Sequence, residues 1–215
     1  IPVHLYGQMC DMKAIKKIAN KYGLIIIEDA AHCIEGERDG IRPGQLSTAA
    51  VFSFYATKNI TSGEGGAITT NDEKLYNNLL KYRLHGMSKG AAERYAGNYQ
   101  HWDMELLGYK CNMNDFQASL LEPQLKKIET YLQDRNNICR QYENAIFYLN
   151  NVNYPKVLKN TKHARHLFTA WVKPSKRDEI IYKLQKEDIG VTVNYRAIHL
   201  LSYYKNIYKF SENSF

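Results

Sequence analysis

Residues 24–32 read LIIIEDAAH, and this stretch decides the fold of the chain. Its apolar half predicts a short strand over Leu24–Glu28, buried in a parallel sheet. An amphipathic helix is predicted just before it, over Met12–Tyr22, with Asp11 as the N-cap and Gly23 at its end. A helix followed at once by a buried strand is typical of an α/β sheet with helices on both faces.

The same alternation continues along the chain. Strands are predicted over Ala49–Tyr55 and Gly66–Thr70. A helix is predicted over Asp72–Leu84, capped by Asn71 or Asp72. These elements extend the same α/β sheet.

From Asn114 the apolar pattern becomes helical and runs towards Leu149, with a kink expected at Pro123. The turn at Asn150-Asn151 marks the predicted domain boundary. Residues 1–150 are therefore assigned to a large domain and residues 151–215 to part of a small α+β domain. The elements predicted in the small domain are a strand, a helix and a strand: His166–Val172, Asp178–Glu187 and Val191–Asn194.

The composition excludes several classes of protein. The 215 residues are 44% hydrophobic and 24% charged, which excludes wholesale disorder. No apolar run approaches the roughly 20 residues of a membrane helix, and no secretory signal is visible. The formal net charge is +7, but the basic residues are dispersed. This dispersion argues against a nucleic-acid-binding module, whereas the net positive charge favours anionic small molecules as partners.

The cysteines and the first residues bear on the compartment and the completeness of the chain. The four cysteines lie far apart without a CxxC pair, which is typical of reduced cysteines in a cytoplasmic protein: Cys10, Cys33, Cys111 and Cys139. The chain begins with Ile1-Pro2 rather than Met, and we expect it to be a fragment of a longer polypeptide.

Asp29 directly follows the first predicted strand. Ligands of open α/β sheets bind beyond the carboxyl ends of the strands, so this carboxylate lies where a ligand is expected. Its partner could be a protonated ring nitrogen, a metal ion or a ribose hydroxyl. The alternative is that Asp29 caps the next helix.

A second polar turn follows the strand Ala49–Tyr55 and contains Lys58. A lysine held at a strand end can lose its proton through desolvation and form a Schiff base with an aldehyde cofactor. Ser53 precedes it in the same motif and can offer its hydroxyl to a phosphate. The loop Gly63-Glu64-Gly65-Gly66 lets the backbone approach a bound ring closely.

Together these motifs resemble the DegT/DnrJ/EryC1/StrS family of pyridoxal-phosphate-dependent nucleotide-sugar aminotransferases. The resemblance implies fold type I, the aspartate aminotransferase-like α/β large domain with part of a small α+β C-terminal domain. The N-terminal portion of the family, with its phosphate cradle and ring-stacking aromatic residue, has no counterpart here. The resemblance continues in order through PVHLYG at 2–7, LHG at 84–86, LGYK at 107–110, HLF at 166–168 and IHL at 198–200.

The resemblance assigns roles to the first motif. Asp29 matches the carboxylate that keeps the pyridine nitrogen of the cofactor protonated. Ala31 matches the small residue against the ring face. His32 occupies a position where family members carry Gln or His near the phenolic oxygen of the ring.

The resemblance also assigns roles further along the chain. Lys58 matches the lysine that binds the cofactor aldehyde and then shuttles a proton, and Ser53 matches a phosphate ligand. Asn112 belongs to a variant of the commoner glycine-tyrosine-asparagine form and is expected to reach the phosphate of the neighbouring subunit's cofactor. His199 is placed near the nucleotide sugar, with a packed core histidine as the alternative. Other histidines are interpreted as structural: His4, His85 and His166.

The implied activity is transfer of an amino group from glutamate to a keto carbon of a nucleotide-linked keto-deoxy sugar, in the synthesis of cell-surface polysaccharide. The alternatives are a non-catalytic regulatory or binding member of the family and a sugar dehydratase, in which the lysine is replaced. A homodimer is expected. The apolar helix from Phe116 to Leu132 is available for its interface, or else packs within the chain. No metal, nucleic-acid or membrane partner is expected.

Overall fold

The computed structural model of the protein describes residues 1–88 and 101–215. The chain divides into two units. The first contains Ile1–Leu149 and Tyr154–Ala170, and the second contains Asn150–Asn153 and Trp171–Phe215. The predicted domain boundary after residue 150 stays a prediction, and the segment 154–170 packs with the first unit.

In the first 82 residues, four strands lie in succession between two α-helices, and helices dominate from residue 115. The α-helices are α1 (Met12–Tyr22), α2 (Glu73–Tyr82), α3 (Asp115–Ser119), α4 (Leu121–Leu125), α5 (Ile128–Phe147), α6 (Arg177–Lys186) and α7 (Ser202–Tyr208). The strands are β1 (Ile27–Asp29), β2 (Glu37–Arg38), β3 (Ala49–Ser53), β4 (Gly66–Thr69), β5 (Val152–Asn153), β6 (Thr161–Lys162) and β7 (Trp171–Val172).

The predicted first helix is confirmed with its bounds and both of its end residues. The Asp11 carboxylate accepts the Ala14 N–H at 2.9 Å, as an N-cap does. Gly23 ends α1 in the left-handed conformation, with φ of +63°. The buried face of α1 joins a core cluster with the chain on either side of β1: Met9, Met12, Ala19, Ile26, Cys33 and Ala164.

The central sheet has the order β1-β3-β4. β1 and β3 are parallel, with Asp29 opposite Val51. β4 runs antiparallel to β3, with Gly66 opposite Ser53. Because β1 and β3 are parallel neighbours, their carboxyl ends lie at the same edge of the sheet, which is where ligands of α/β proteins bind.

The strand predicted over Leu24–Glu28 is displaced in the structure. The ladder begins only at Ile27 and includes Asp29. Leu24 and Ile25 are 61% and 75% exposed, so their apolar character does not mark burial in this chain. The run of branched residues indicated a strand correctly, but its hydrogen-bonded part is set by the β3 neighbour.

The long helix predicted from Asn114 is divided into α3, α4 and α5. Pro123 is the third residue of α4, and its missing N–H falls in the first turn, where no intrahelical bond is made. The proline therefore starts a new helix instead of kinking a continuous one. Leu121 and Leu132 are buried, whereas Phe116 is 87% exposed, so the apolar face only partly packs within the chain.

The second unit contains the antiparallel pair β5 and β7 together with α6 and α7. Two strands predicted in this unit or just before it differ from the structure. The strand His166–Val172 is reduced to Trp171–Val172, because the His166 N–H donates to the Tyr6 carbonyl instead of to a strand. Val191–Asn194 is not a strand, and no ladder partner faces it among the described residues.

Two further findings bear on the predicted properties. All four cysteines are free. Across residues 1–88 and 101–215, no helix combines the length and the apolar character needed to cross a membrane.

Candidate active site

Asp29 is the last residue of β1 and is half-buried. Its N–H donates to the Pro2 carbonyl at 2.9 Å, and its carbonyl accepts the His4 N–H at 3.0 Å. The carboxylate Oδ1 accepts the Ala31 N–H at 3.0 Å, which makes half-buried Ala31 the backbone support of this side chain. Turns, not a helix, connect Asp29 to Glu37, so the helix-capping alternative is wrong.

Ser53 and Lys58 lie at the end of the neighbouring strand. Ser53 is the last residue of β3, two positions beyond Val51, which faces Asp29 in the parallel ladder. Its hydroxyl accepts the Tyr55 N–H at 3.3 Å, and the Lys58 N–H donates to the Tyr55 carbonyl at 2.9 Å, which closes a turn. Ser53 and Lys58 are both half-buried. An amine, a hydroxyl and a carboxylate therefore share one edge of the sheet.

The loop that carries Lys58 is anchored immediately after it. Ile60 is 1% exposed and packs with Phe54 and Leu121. The side-chain amide of Gln124 accepts the Thr61 N–H at 3.0 Å and donates to the Thr61 carbonyl at 2.8 Å. These contacts hold the backbone of the loop against α4, so Lys58 is carried on a rigid support.

The glycine loop has a role in the sheet itself. A Cβ at Gly66 would lie 2.7 Å from the Phe52 carbonyl oxygen, so β3 and β4 can approach at this point only with glycine there. The Phe54 N–H donates to the Gly65 carbonyl at 2.8 Å and extends this pairing past the ladder.

His32 lies close enough to Asp29 and Lys58 to be affected by both charges. Burial lowers the pKa of His32, Lys58 lowers it further, and Asp29 partly opposes them. The His32 Nδ1 atom accepts the Tyr6 N–H at 3.3 Å. The structure therefore brings together five of the predicted site residues: Asp29, Ala31, His32, Ser53 and Lys58.

His166, interpreted from the sequence as structural, belongs to this site. Its ring centroid is 4.3 Å from that of His32, with the planes tilted by 30°. Its Nδ1 atom lies 3.1 Å from Asn59 Oδ1. Burial lowers the pKa of His166 to about 4, and His32, Lys58 and Arg135 lower it in the same direction. His166 is thus an uncharged neighbour of the candidate site.

A buried polar cluster surrounds Asn59, the residue after Lys58. The Asn59 Nδ2 group donates to Glu35 Oε2 at 2.7 Å and to the Ala164 carbonyl at 2.9 Å. The guanidinium of Arg135 pairs with Glu35, whose side chain is not exposed, and its Nε–H donates to the Ala164 carbonyl at 3.3 Å. The positive and negative charges of this cluster compensate each other inside the protein.

Sequence reasoning missed these neighbours for different reasons. Asn59 follows Lys58 directly, so its position in the motif was an available signal. Glu35 lies in an ordinary polar turn, and Arg135 is one of many basic residues on a helix. Glu35 and Arg135 are 100 residues apart, and nothing local marks them as partners.

Two predicted site residues lie apart from this group in the described contacts. Asn112 is exposed and accepts a hydrogen bond from the Lys110 ammonium, on a stretch that bridges to Leu84 after α2. His199 belongs to the second unit, where its ring contacts that of Phe215 edge-on at 5.3 Å. Their predicted roles stay predictions.

The motifs, and the position of their residues at one edge of the sheet, agree with the match of this sequence to a protein family. Residues 1–215 match the DegT/DnrJ/EryC1/StrS aminotransferase family. The chain belongs to this family.

Several known proteins are similar to this chain over nearly all of its length. SpsC of Bacillus subtilis, a spore coat polysaccharide biosynthesis protein, is 38% identical over 221 residues, covering 100% of this chain and 57% of SpsC. PseC of Helicobacter pylori, an aminotransferase involved in the biosynthesis of pseudoaminic acid, is 25% identical with a TM-score of 0.88, covering 97% of this chain and 55% of PseC.

A third relative is Spr1654 of Streptococcus pneumoniae, a putative sugar aminotransferase solved in a PLP-form. It is 28% identical with a TM-score of 0.84, and the match covers 95% of this chain and 56% of Spr1654. The chain therefore spans little more than half the length of these relatives. The fold predicted from the sequence, an α/β large domain of this family with a smaller α+β part, is confirmed.

The donor set at this edge suits an anionic, ring-containing ligand. Lys58 offers an amine for covalent binding, Asp29 a carboxylate for a ring cation, and Ser53 a hydroxyl for a phosphate. Across the described residues, no cluster of three or more His, Cys, Asp or Glu side chains is arranged to hold a metal ion.

Proposed function

We propose that the protein is a pyridoxal 5′-phosphate-dependent sugar aminotransferase. In the proposed reaction, glutamate and a nucleotide-linked keto-deoxy sugar give 2-oxoglutarate and the amino sugar. The observation that carries the proposal is the placement of Asp29, His32, Ser53 and Lys58 around one edge of the sheet, in a chain of this family. The names of SpsC, PseC and Spr1654 support a sugar as the acceptor.

The site residues fit pyridoxal 5′-phosphate as the cofactor. When bound, this cofactor supplies an aldehyde for the lysine and a ring that takes up electrons from the reacting carbon. Asp29 would hold a proton on the ring nitrogen, Ala31 would lie against the ring face, and Ser53 would donate its hydroxyl to the phosphate. His32 would contact the phenolic oxygen of the ring. The PLP-form of Spr1654 supports this choice.

Lys58 would bind the cofactor aldehyde and move a proton at the reacting carbon. Its loop is held by Ile60 and by the two hydrogen bonds with Gln124, so the backbone that carries the amine would stay in one place. The lysine favours an aminotransferase over the dehydratases of the family, in which this residue is replaced. A regulatory, non-catalytic member is the other alternative, and the absence of turnover would favour it.

The remaining parts of the proposal concern partners and place. We infer a homodimer in which Asn112 reaches the cofactor phosphate of the neighbouring subunit, and a position for His199 near the nucleotide sugar. The exposed position of Asn112 is compatible with a contact outside its own chain. The reaction would take place in the cytoplasm, where nucleotide-linked sugars and free thiols both occur, and it would supply cell-surface polysaccharide synthesis.

The decisive experiment locates the lysine that binds the cofactor. The protein is incubated with pyridoxal 5′-phosphate, reduced with borohydride, and digested for mass spectrometry. We expect a pyridoxyl adduct on Lys58 in the wild type and none at this site in Lys58→Ala, which also loses formation of 2-oxoglutarate. Lys16→Ala removes another half-buried lysine, on α1, and should keep the adduct and the turnover. An adduct on another lysine, or turnover by Lys58→Ala, would refute the assignment.

A further inference from the structure

We propose that Asn59 is a positioning residue that acts through His166: its side-chain amide fixes the hydrogen of the neutral His166 ring on Nδ1 and separates the Glu35 carboxylate from this ring, which packs against His32. The proposal names a residue outside the predicted site. It rests on the proposed function only in identifying the ligand atom that His32 would contact. The tautomers and charges of the two rings can be measured without any catalysed reaction.

The orientation of the Asn59 amide follows from its partners. Glu35 Oε2 and the Ala164 carbonyl lie 2.7 and 2.9 Å from Nδ2, and both can only accept hydrogen bonds. Nδ2 must therefore be the amino group, with both of its hydrogens used. A flipped amide would place its oxygen against a carboxylate and a carbonyl. The Oδ1 atom is consequently the group that faces His166.

The tautomer of His166 follows from that orientation. Asn59 Oδ1 is an acceptor at 3.1 Å from His166 Nδ1, so this ring nitrogen carries the hydrogen and donates it. In the neutral ring, Nε2 then holds a lone pair. Because the amide is neutral, it orients the ring without attracting a proton to it.

The charges around His166 keep it neutral. His32, Lys58 and Arg135 all disfavour a proton on this ring, in addition to its burial. The acid of the cluster, Glu35, is separated from the ring by Asn59 and is paired with Arg135. An asparagine at this position therefore insulates His166 from the carboxylate, whereas an aspartate would place a negative charge directly at Nδ1.

The facing ring has the opposite tautomer. The Tyr6 N–H donates to His32 Nδ1 at 3.3 Å, so the neutral His32 ring carries its hydrogen on Nε2. Tyr6 adopts the left-handed conformation, with φ of +59°. Its backbone carbonyl accepts the backbone N–H of His166 at 3.1 Å. One strained turn thus supports both rings. Around His32, Lys58 disfavours the charged form and Asp29 favours it.

The consequence concerns the charge near Lys58. When both imidazoles are neutral, the charges that the candidate site places near them are those of Lys58 and Asp29. Lys58 lowers the pKa of both rings, and Asp29 raises that of His32. His32 presents an N–H to an anionic oxygen without adding a positive charge that would compete with the amine. Protonation of His166 would place an imidazolium against His32, and burial together with His32, Lys58 and Arg135 disfavours it.

Nitrogen NMR of the protein tests this directly. The protein is labelled with ¹⁵N-histidine and recorded without cofactor between about pH 5 and pH 8, and the two rings are assigned with His32→Gln and His166→Gln. We expect the hydrogen of His166 on Nδ1 and that of His32 on Nε2, with His166 uncharged down to about pH 5. The opposite tautomer for His166, or its protonation above about pH 6, would overturn the proposal.

A matched pair of variants tests the role of Asn59. Asn59→Asp is expected to move the His166 titration midpoint upward by about 1–3 pH units, since an opposite charge within contact distance favours the protonated ring. Asn137→Asp adds the same charge on the exposed face of α5 and should leave the midpoint unchanged. Equal behaviour of the two variants would refute the proposal. If Asn59→Asp fails to fold, the wild-type tautomers decide. Because no cofactor is present, the result is independent of the aminotransferase proposal.

Discussion

His4→Ala is expected to destabilise the protein strongly at neutral pH. The His4 Nε2 atom lies 2.6 Å from Glu28 Oε2, and neither side chain is exposed to solvent. Burial lowers the pKa of His4, but the hydrogen bonds with Cys10 and Glu28 outweigh it and raise the pKa to about 9, so the imidazole is charged at neutral pH and forms an ion pair with Glu28. The Gly44 N–H donates to the other carboxylate oxygen at 2.9 Å. The variant leaves this buried carboxylate without its imidazole partner.

The size and pH dependence of the effect follow from that buried charge. Removing one partner of a buried pair costs about 3–5 kcal/mol. Burial alone raises the pKa of Glu28, but the bonds from His4 and Gly44 outweigh it and hold the pKa below its usual range. The pair therefore stabilises the protein most between the unfolded pKa values of Glu and His, about 4.3 and 6.5. Its contribution is lost as the pH falls through the lower folded pKa of Glu28, and also as the pH rises through the raised folded pKa of His4.

The variant has the opposite pH dependence. Without His4, burial dominates and the folded pKa of Glu28 rises above its unfolded value. As the pH falls, protonation of Glu28 raises the free energy of unfolding of the variant. As the pH rises, ionisation of Glu28 lowers it. The difference in unfolding free energy between wild type and His4→Ala is therefore largest near neutral pH and shrinks towards about pH 4.5.

Urea unfolding followed by circular dichroism at about pH 7.5 and pH 4.5 measures this difference. Glu28→Gln is the matched control: it keeps the shape of the side chain without the charge, and we expect it to cost less than His4→Ala at about pH 7.5. The double variant should recover at least about 1 kcal/mol relative to His4→Ala, because no buried charge remains. A cost below about 1 kcal/mol for His4→Ala, or a cost that does not change with pH, would refute the reasoning.

Three further predictions concern the candidate site. Asp29→Asn should fold normally, since the amide oxygen can still accept the same backbone N–H. Its kcat should fall at least about tenfold, because a charge-assisted bond of about 1.5–3 kcal/mol is lost. A near-normal kcat would contradict the role of Asp29. Gln124→Ala removes two hydrogen bonds to the Thr61 backbone and should lower the free energy of unfolding in urea by about 1–3 kcal/mol. Gln124→Glu keeps one acceptor and should have an intermediate stability. Wild-type stability of Gln124→Ala would show that these two bonds are unimportant. Mixing Lys58→Ala with Asn112→Ala protomers should restore activity above both parents if Asn112 acts in the partner's site, and no recovery after verified subunit exchange would place it elsewhere.

Local sequence signals predicted α1 and the site edge well. The cap at Asp11 and the left-handed Gly23 act within a few residues, so their consequences could be read directly. The same holds for Asp29 after its strand and Lys58 in its turn. Resemblance to the family then gave these residues proposed roles that periodicity alone does not provide.

Predictions failed where distant contacts decide the local structure. The ladder of β1 starts at Ile27 because β3 pairs from there. The expected strand from His166 is absent up to residue 170, since the His166 N–H is used by the Tyr6 turn, far away in the sequence. In both cases the pattern of side chains was compatible with a strand, but the backbone partner was elsewhere.

The amino-acid sequence by itself determined the α/β class, the family, and which chemical groups lie at or just beyond the ends of β1 and β3, because caps, periodicity and motif spacing are properties of neighbouring residues. Only the tertiary structure decided that Asn59, Glu35 and Arg135 form one cluster, that His166 packs on His32, and which ring nitrogens carry hydrogen. Asn59 and His166 are 107 residues apart. Burial and hydrogen-bond partners set amide orientation and imidazole charge, and these exist only after the chain has folded.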